Sequence, residues 1–154
     1  MYPARDLELW WTVKGPVYVA GPMSGLPQFN FPAFDLATAS LRAQGYEVIS
    51  PAELDDPETR AAALASPDGS AASYGANGKD TWADYLARDV KIIGDHAVAI
   101  ALLPGWERSK GAKLEAFVGI IKSQQFVFAL FDPETYDITP VTREYVKEKI
   151  HANI

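Results

Sequence analysis

Two runs of this chain, Ala97-Val98-Ala99-Ile100-Ala101-Leu102-Leu103 and Phe126-Val127-Phe128-Ala129-Leu130-Phe131, are apolar at every position. A strand with one wet face alternates apolar and polar residues, so a strand that is apolar throughout must be covered on both sides, as in a parallel sheet between two layers of helices. Two more β-rich runs suit the same sheet: Pro16-Val17-Tyr18-Val19-Ala20, closed by Gly21-Pro22, and Tyr46-Glu47-Val48-Ile49-Ser50, closed by Pro51. Helical patterns lie between them, over 32–44 with Gly45 as stop, over 81–93 with Asp80 as N-cap and Gly94 as stop, and over 111–123. A last helix is expected to open at Thr139-Pro140, where a capping residue precedes a first-turn proline, and to run to about His151. The alternation predicts one α/β domain over the whole chain, an open, doubly wound, flavodoxin- or Rossmann-like sheet. It has four to five mostly parallel strands with helices on both faces. Ligands of such sheets bind beyond the carboxyl ends of the strands, where the strand order reverses.

The stretch 55–79 breaks the pattern. Its roughly twenty-five residues are rich in Ala, Ser, Gly, Asp and Pro, with turn signals at Pro67-Asp68-Gly69-Ser70 and Gly75-Ala76-Asn77-Gly78. That is long for a connection, and it reads as an inserted lid or flap with at most one helical turn at Ala61-Ala62-Ala63-Leu64.

Net charge is −6, and the 14 basic residues are scattered along the chain, so duplex nucleic acid is not an expected partner. With no cysteine and only His96 and His151, neither a disulfide framework, a metal site nor a cofactor is called for. No apolar run approaches the ~18 residues that a bilayer span needs, and a cytoplasmic protein is expected. Asp95-His96 reads as a polar turn feeding the central strand. Trp10-Trp11 is left open between packing under the first strand and covering a partner subunit.

Two glycine-containing turns fall at strand ends and outline a pocket: Gly21-Pro22-Met23-Ser24-Gly25 after the first strand, and Pro104 through Gly111 after the central one. The second leads into Ser109-Lys110-Gly111-Ala112-Lys113-Leu114-Glu115, a helix start whose free amides and positive dipole suit a nucleotide phosphate. Glu115, on a face with Ala112, Ala116 and Gly119, is expected to stay ionised there and to act as a nucleophile or as a partner to a developing cation. Leu114, Phe117, Val118 and Ile121 would supply the apolar bulk. Asp89 lies on one helical face with Trp82, Leu86 and Ile93, where desolvation favours a protonated carboxyl and hence a proton donor. Each has a plainer alternative: Glu115 pairing with Lys113 or Lys122, Asp89 pairing with Arg88, and Ser109 as an ordinary helix cap. Arg88 projects about 100° from Asp89 on an ideal helix, which weakens that second alternative.

Taken together, Tyr18-Val19-Ala20-Gly21-Pro22, Tyr85-Leu86-Ala87-Arg88-Asp89, Asp95 before the apolar strand, and Ser109-x-Gly111-x-x-x-Glu115 resemble the nucleoside 2-deoxyribosyltransferase superfamily. That superfamily includes the 2'-deoxynucleoside 5'-monophosphate N-glycosidases. The strings Asn30-Phe31-Pro32-Ala33-Phe34 and Leu103-Pro104-Gly105-Trp106-Glu107 look most like a branch common in bacteriophage genomes. The resemblance implies an N-glycosidase that splits the base–deoxyribose bond of a nucleoside 5'-monophosphate. Glu115 would be the nucleophile, Asp89 the proton donor to the departing base, and Tyr18 the residue that orients the glutamate. The glycine loop Gly21, Pro22, Met23, Ser24 and Gly25 would bind substrate, together with Ser109, Lys110 and Gly111. Ser109 stands where the transferases carry an aspartate for a free 5'-hydroxyl, so a 5'-phosphate is implied. Stretch 55–79 and the Met23-Ser24-Gly25 turn would line the base end of the pocket. Base exchange by a transferase and nucleotide binding without turnover, as in a phage sponge or sensor, are the alternatives. A homodimer is also implied, with Trp10-Trp11 and the aromatic Phe126 to Phe131 edge as candidate interface.

Overall fold

The computed structural model describes residues 4–70 and 80–154. Among these residues five strands form one sheet, in the order β2-β1-β3-β4-β5: β1 (Val17–Ala20), β2 (Val48–Ile49), β3 (Ala99–Leu102), β4 (Val127–Phe131) and β5 (Ile138–Val141). The first four run parallel and β5 is an antiparallel edge. Among the described residues six helices surround the sheet: α1 (Ala4–Trp10), α2 (Phe31–Ala43), α3 (Pro57–Ala65), α4 (Trp82–Asp95), α5 (Lys110–Lys122) and α6 (Arg143–Ala152). This is the expected α/β architecture, in the flavodoxin-like strand order.

Strand side chains alternate between two cores, as the two-residue period of a strand requires. Val17, Val19, Ala99, Ala101, Val127 and Ala129 pack on one face with Trp10 of α1 and with Phe31, Phe34 and Leu41 of α2. Tyr18, Ala20, Ile100, Leu102 and Phe128 pack on the other with Ile93 of α4, Ala112, Ala116 and Ile120 of α5, and Val146 of α6. The register aligns Tyr18 with Ile100, and Ile100 with Phe128, so Tyr18 faces the α5 layer from the middle of the sheet.

Several boundaries differ from expectation. Thr139 and Pro140 lie in β5, not in a helix, with Pro140 opposite Ala129. A proline without an amide is tolerated on an edge strand. The last helix begins three residues later than expected, where the Thr142 side chain accepts from the Tyr145 amide. Helix α4 is capped by Thr81, not Asp80. Thr81 accepts from the Asp84 amide while the Asp84 carboxylate accepts from the Thr81 amide, a reciprocal capping box. Gly94 does not stop that helix, which runs on to Asp95.

The described part of this stretch, 55–70, is not structureless. Asp56 caps α3 by accepting from the Thr59 amide, with Pro57 in the first turn, so a sound helix start was present in the sequence. The following turn docks on the first glycine loop: the Gly25 amide donates to the Gly69 carbonyl at 2.8 Å. Gly69 has φ +62, and a Cβ there would meet the Leu26 carbonyl oxygen at 2.2 Å, so this docking needs glycine. The Gly75-Ala76-Asn77-Gly78 turn lies outside the described residues. Helix α1 covers the sheet from a segment that the sequence reading left unassigned. Of the tryptophan pair, Trp10 is buried in the core and Trp11 is exposed. Among the described residues no helix is long and apolar enough to cross a membrane.

Candidate active site

Strand β1 has β2 on one side and β3 on the other, and a pocket opens beyond the carboxyl ends of these three strands. It measures about 800 Å³ with the open solvent at its mouth included, and Gly21, Pro51 and Ser109 line it from the three strand ends. Phe31 and Phe34 of α2 and Trp82 and Tyr85 of α4 give it aromatic walls. Its acidic and basic side chains are Asp55, Arg88, Asp89 and Glu115.

Glu115 is brought in by the sheet-facing side of α5, formed by Ala112, Glu115, Ala116, Gly119 and Ile120. Small residues let this helix sit close to the strands. A Cβ on Gly119 would lie 2.4 Å from the Phe126 ring, so only glycine permits that approach. Of the four residues expected to supply the apolar bulk, Leu114, Phe117 and Ile121 are exposed, and Val118 is partly buried against the core. The carboxyl of Glu115 is thereby buried against β1, where the Tyr18 hydroxyl donates to Oε2 at 2.5 Å. Asp89, buried on the inner side of α4, completes the group.

Burial pushes the Glu115 carboxyl up to about 8, and the nearby Asp89 charge pushes the same way, against the Tyr18 hydrogen bond and Arg88. This corrects the expectation of an ionised Glu115: the helix dipole is outweighed because the side chain is taken out of water. Burial also raises Asp89, as expected, with Arg88 opposing. Tyr18 is held well above its ordinary value, first by burial and then by the two carboxyls, and so remains a neutral donor. The two carboxyls titrate as a unit, and that unit keeps a proton up to about pH 8.

The plainer alternatives sort cleanly. Glu115 pairs with neither lysine: the Lys113 ammonium donates to the Asn153 carbonyl, and that of Lys122 to the carbonyls of Ile93 and Ala97. Asp89 does pair with Arg88, Nε to Oδ1 at 2.9 Å, despite their angular separation, because the long arginine side chain folds back over the helix. Ser109 is a helix cap, its Oγ accepting from the Ala112 amide at 3.2 Å, and it also lines the pocket.

Tyr18, Asp89 and Glu115 therefore converge, and Gly21, Met23, Ser24, Ser109 and Gly111 line the same pocket. Pro22, Gly25 and Lys110 do not line it: the Pro22 carbonyl accepts from Asn30, Gly25 is tied to Gly69, and Lys110 is exposed. Asp95 forms a surface pair with Lys91, in keeping with a polar turn. The aromatic Phe126, Phe128 and Phe131 are buried in the two cores and are not available as an interface.

A family model described as a domain of unknown function (DUF4406) matches residues 15–126. The chain belongs to the DUF4406 family. No curated protein and no solved structure matches it. The part of this DUF4406 chain covered by the family model runs from the residue pair before β1 to the one residue before β4, and so holds Tyr18, Asp89, Ser109 and Glu115.

Sequence reasoning placed Asp55 at the start of a pocket-lining stretch without singling it out, and gave Arg88 only a structural part. The Arg88 guanidinium bridges Asp89 and Asp55, with Nη1 at 2.7 Å from Asp55 Oδ1. The available signals were the Arg88-Asp89 dipeptide and the position of Asp55 a few residues beyond the end of β2, at the same sheet edge as the glycine loop. Among the described residues no group of three or more metal-ligating side chains is placed to hold a metal ion.

Proposed function

We propose that this chain is an N-glycosidase that cleaves the base–deoxyribose bond of a nucleoside 5'-monophosphate in the cytoplasm. The observation that carries the reading is the buried Glu115 carboxyl, held by the Tyr18 hydroxyl at 2.5 Å beside Asp89 at a strand-end pocket. Two carboxyls sharing a proton are what a glycosyl transfer needs. In the active form Glu115 is ionised and Asp89 protonated. The Glu115 carboxylate adds to the anomeric carbon as the bond to the base breaks. The bonding pair goes to the base nitrogen, and the Asp89 proton neutralises the departing base. Water then cleaves the glycosyl ester, giving its hydroxyl to the sugar and returning a proton to Asp89. Aromatic walls suit a planar base, and in this reading Met23, Ser24 and Asp55, which also line the pocket, would contact it. Incubating the protein with a panel of nucleotides and nucleosides, and following free base by chromatography, tests the reading. Base release that is lost in Glu115→Ala supports it, and no base from any substrate overturns it.

A binding-only protein is the second reading, favoured by the proton that Glu115 holds up to about pH 8, since a neutral carboxyl binds but does not attack. Tight nucleotide binding without released base selects it. A transferase is recognised by exchanged nucleoside when a second free base is added.

The three pocket carboxyls surround a single guanidinium that two of them already engage, so a 5'-phosphate fits best at the first turn of α5, beside Ser109 and Gly111. Ser109→Asp is expected to keep the helix cap while repelling that phosphate. Use of the monophosphate should fall about ten- to hundredfold in kcat/KM relative to the unphosphorylated nucleoside. An unchanged ratio of the two specificity constants removes the phosphate role.

A homodimer belongs to the same reading, but on a different surface from the one first expected. Leu114, Phe117 and Ile121 form an exposed apolar row on α5, and Trp82 on the neighbouring α4 is also exposed. Sedimentation at micromolar concentration should show a dimer that Phe117→Asp dissociates; a wild-type monomer refutes it.

A further inference from the structure

Arg88 sits between two carboxyls that come from different parts of the chain. Its Nε donates to Asp89 Oδ1 at 2.9 Å and its Nη1 to Asp55 Oδ1 at 2.7 Å. The guanidinium also lies over the Tyr85 ring, 5.3 Å from the centroid. Both carboxyls are nearly closed to solvent, at 11% and 9% side-chain exposure, unlike the exposed ion pairs elsewhere on the surface. Asp55 belongs to the connection between β2 and α3, so the bridge ties that connection across the pocket to α4.

We propose that Arg88 is a positioning residue, anchored by Asp55, that fixes the orientation of the Asp89 carboxyl and selects which of its oxygens carries the proton. The inference rests on the glycosidase reading for the part that Asp89 plays. A carboxyl oxygen that accepts from a guanidinium does not itself bear a proton, so Arg88 leaves the acidic hydrogen on Oδ2. Lysine would not do the same, because a point charge lacks the planar fork that reaches two carboxyls at once. The groups facing Asp89 are Tyr18 from β1, Glu115 from α5, Asp55 from the connection and Arg88 on its own helix. Arg88 draws the Asp89 titration down and Asp55 draws it up. The two ends of the bridge therefore act on Asp89 with opposite sign, which general loosening of the fold would not produce.

Carbon-13 carboxyl NMR titration of Asp89 in the whole protein tests this without any substrate. Relative to wild type, the Asp89 midpoint should rise in Arg88→Met and fall in Asp55→Asn, with Arg88→Lys between wild type and Arg88→Met. Equal midpoints, or shifts of the same sign in the two variants, overturn the proposal. If Arg88→Met does not fold, the fall in Asp55→Asn and a rise above wild type in Arg88→Lys carry the same decision. In base-release assays Arg88→Met should lose about a hundredfold in kcat with little change in KM. Opposite midpoint shifts with no base released by wild type uphold the bridge and overturn the glycosidase reading. Base release by wild type with unmoved midpoints does the reverse.

Discussion

Glu115→Gln is expected to abolish base release and at the same time to stabilise the protein in alkaline solution. Glutamine keeps an oxygen to accept from Tyr18 and fills the same space between α5 and β1, but it cannot attack the anomeric carbon. The loss in kcat/KM should reach about a thousandfold or more, as when other covalent nucleophiles are removed. The stability effect follows from the buried acid. The folded-state value of Glu115 is about 8, against an ordinary 4.5. Below about pH 4.5 the carboxyl is protonated whether the chain is folded or not, and there is no penalty. Between 4.5 and 8 the unfolded chain releases a proton that the folded chain retains, so stability falls as pH rises. Above 8 the full cost is present, on the order of 5 kcal/mol. Glutamine does not titrate. Melting curves of the two proteins should therefore nearly coincide at pH 4 to 5 and separate at pH 9, with the variant higher by roughly 10 °C. Coincident curves at pH 9 would show that Glu115 is not the buried acid described above.

Asp89→Asn is the second large effect. Removing a general acid costs about a hundred- to ten-thousandfold when the departing base needs a proton, and much less when it is a good leaving group. The variant should thus discriminate steeply between natural bases and an activated leaving group that wild type treats more alike. Wild-type activity should fall as pH passes about 8, where the carboxyl pair gives up its last proton and no acid remains. In Asp89→Asn the charge that helps hold the Glu115 proton is gone, so Glu115 should titrate lower. Rate profiles against pH with both classes of substrate check this. An equal loss for both classes would assign Asp89 a role other than proton donor.

The parallel core of the fold was legible because its strands are buried on both faces and so carry unbroken apolar runs. The two carboxyls were legible from helical spacing: Asp89 interrupts an apolar face of α4, and Glu115 shares a face of α5 with the small residues Ala112, Ala116 and Gly119. The last strand was not, since Thr139-Pro140 fits a helix start as well as a sheet edge, and only the pairing of Pro140 with Ala129 decides between them. Helix α3 was hidden by composition, although its cap at Asp56 was in view.

Sequence alone determined the layer order, the strand ends that build the pocket, and the approach of Asp89 and Glu115 to it, because periodicity and turn chemistry are local properties. Tertiary structure decided their chemical state. The small face of α5 presses Glu115 onto Tyr18 and out of water, which turns an expected carboxylate into a group that keeps its proton up to about pH 8. The bridge from Asp55 through Arg88 to Asp89 joins positions 33 residues apart in the chain. Desolvation and charge pairing depend on what surrounds a group in space, and helical angle or spacing along the chain does not encode that.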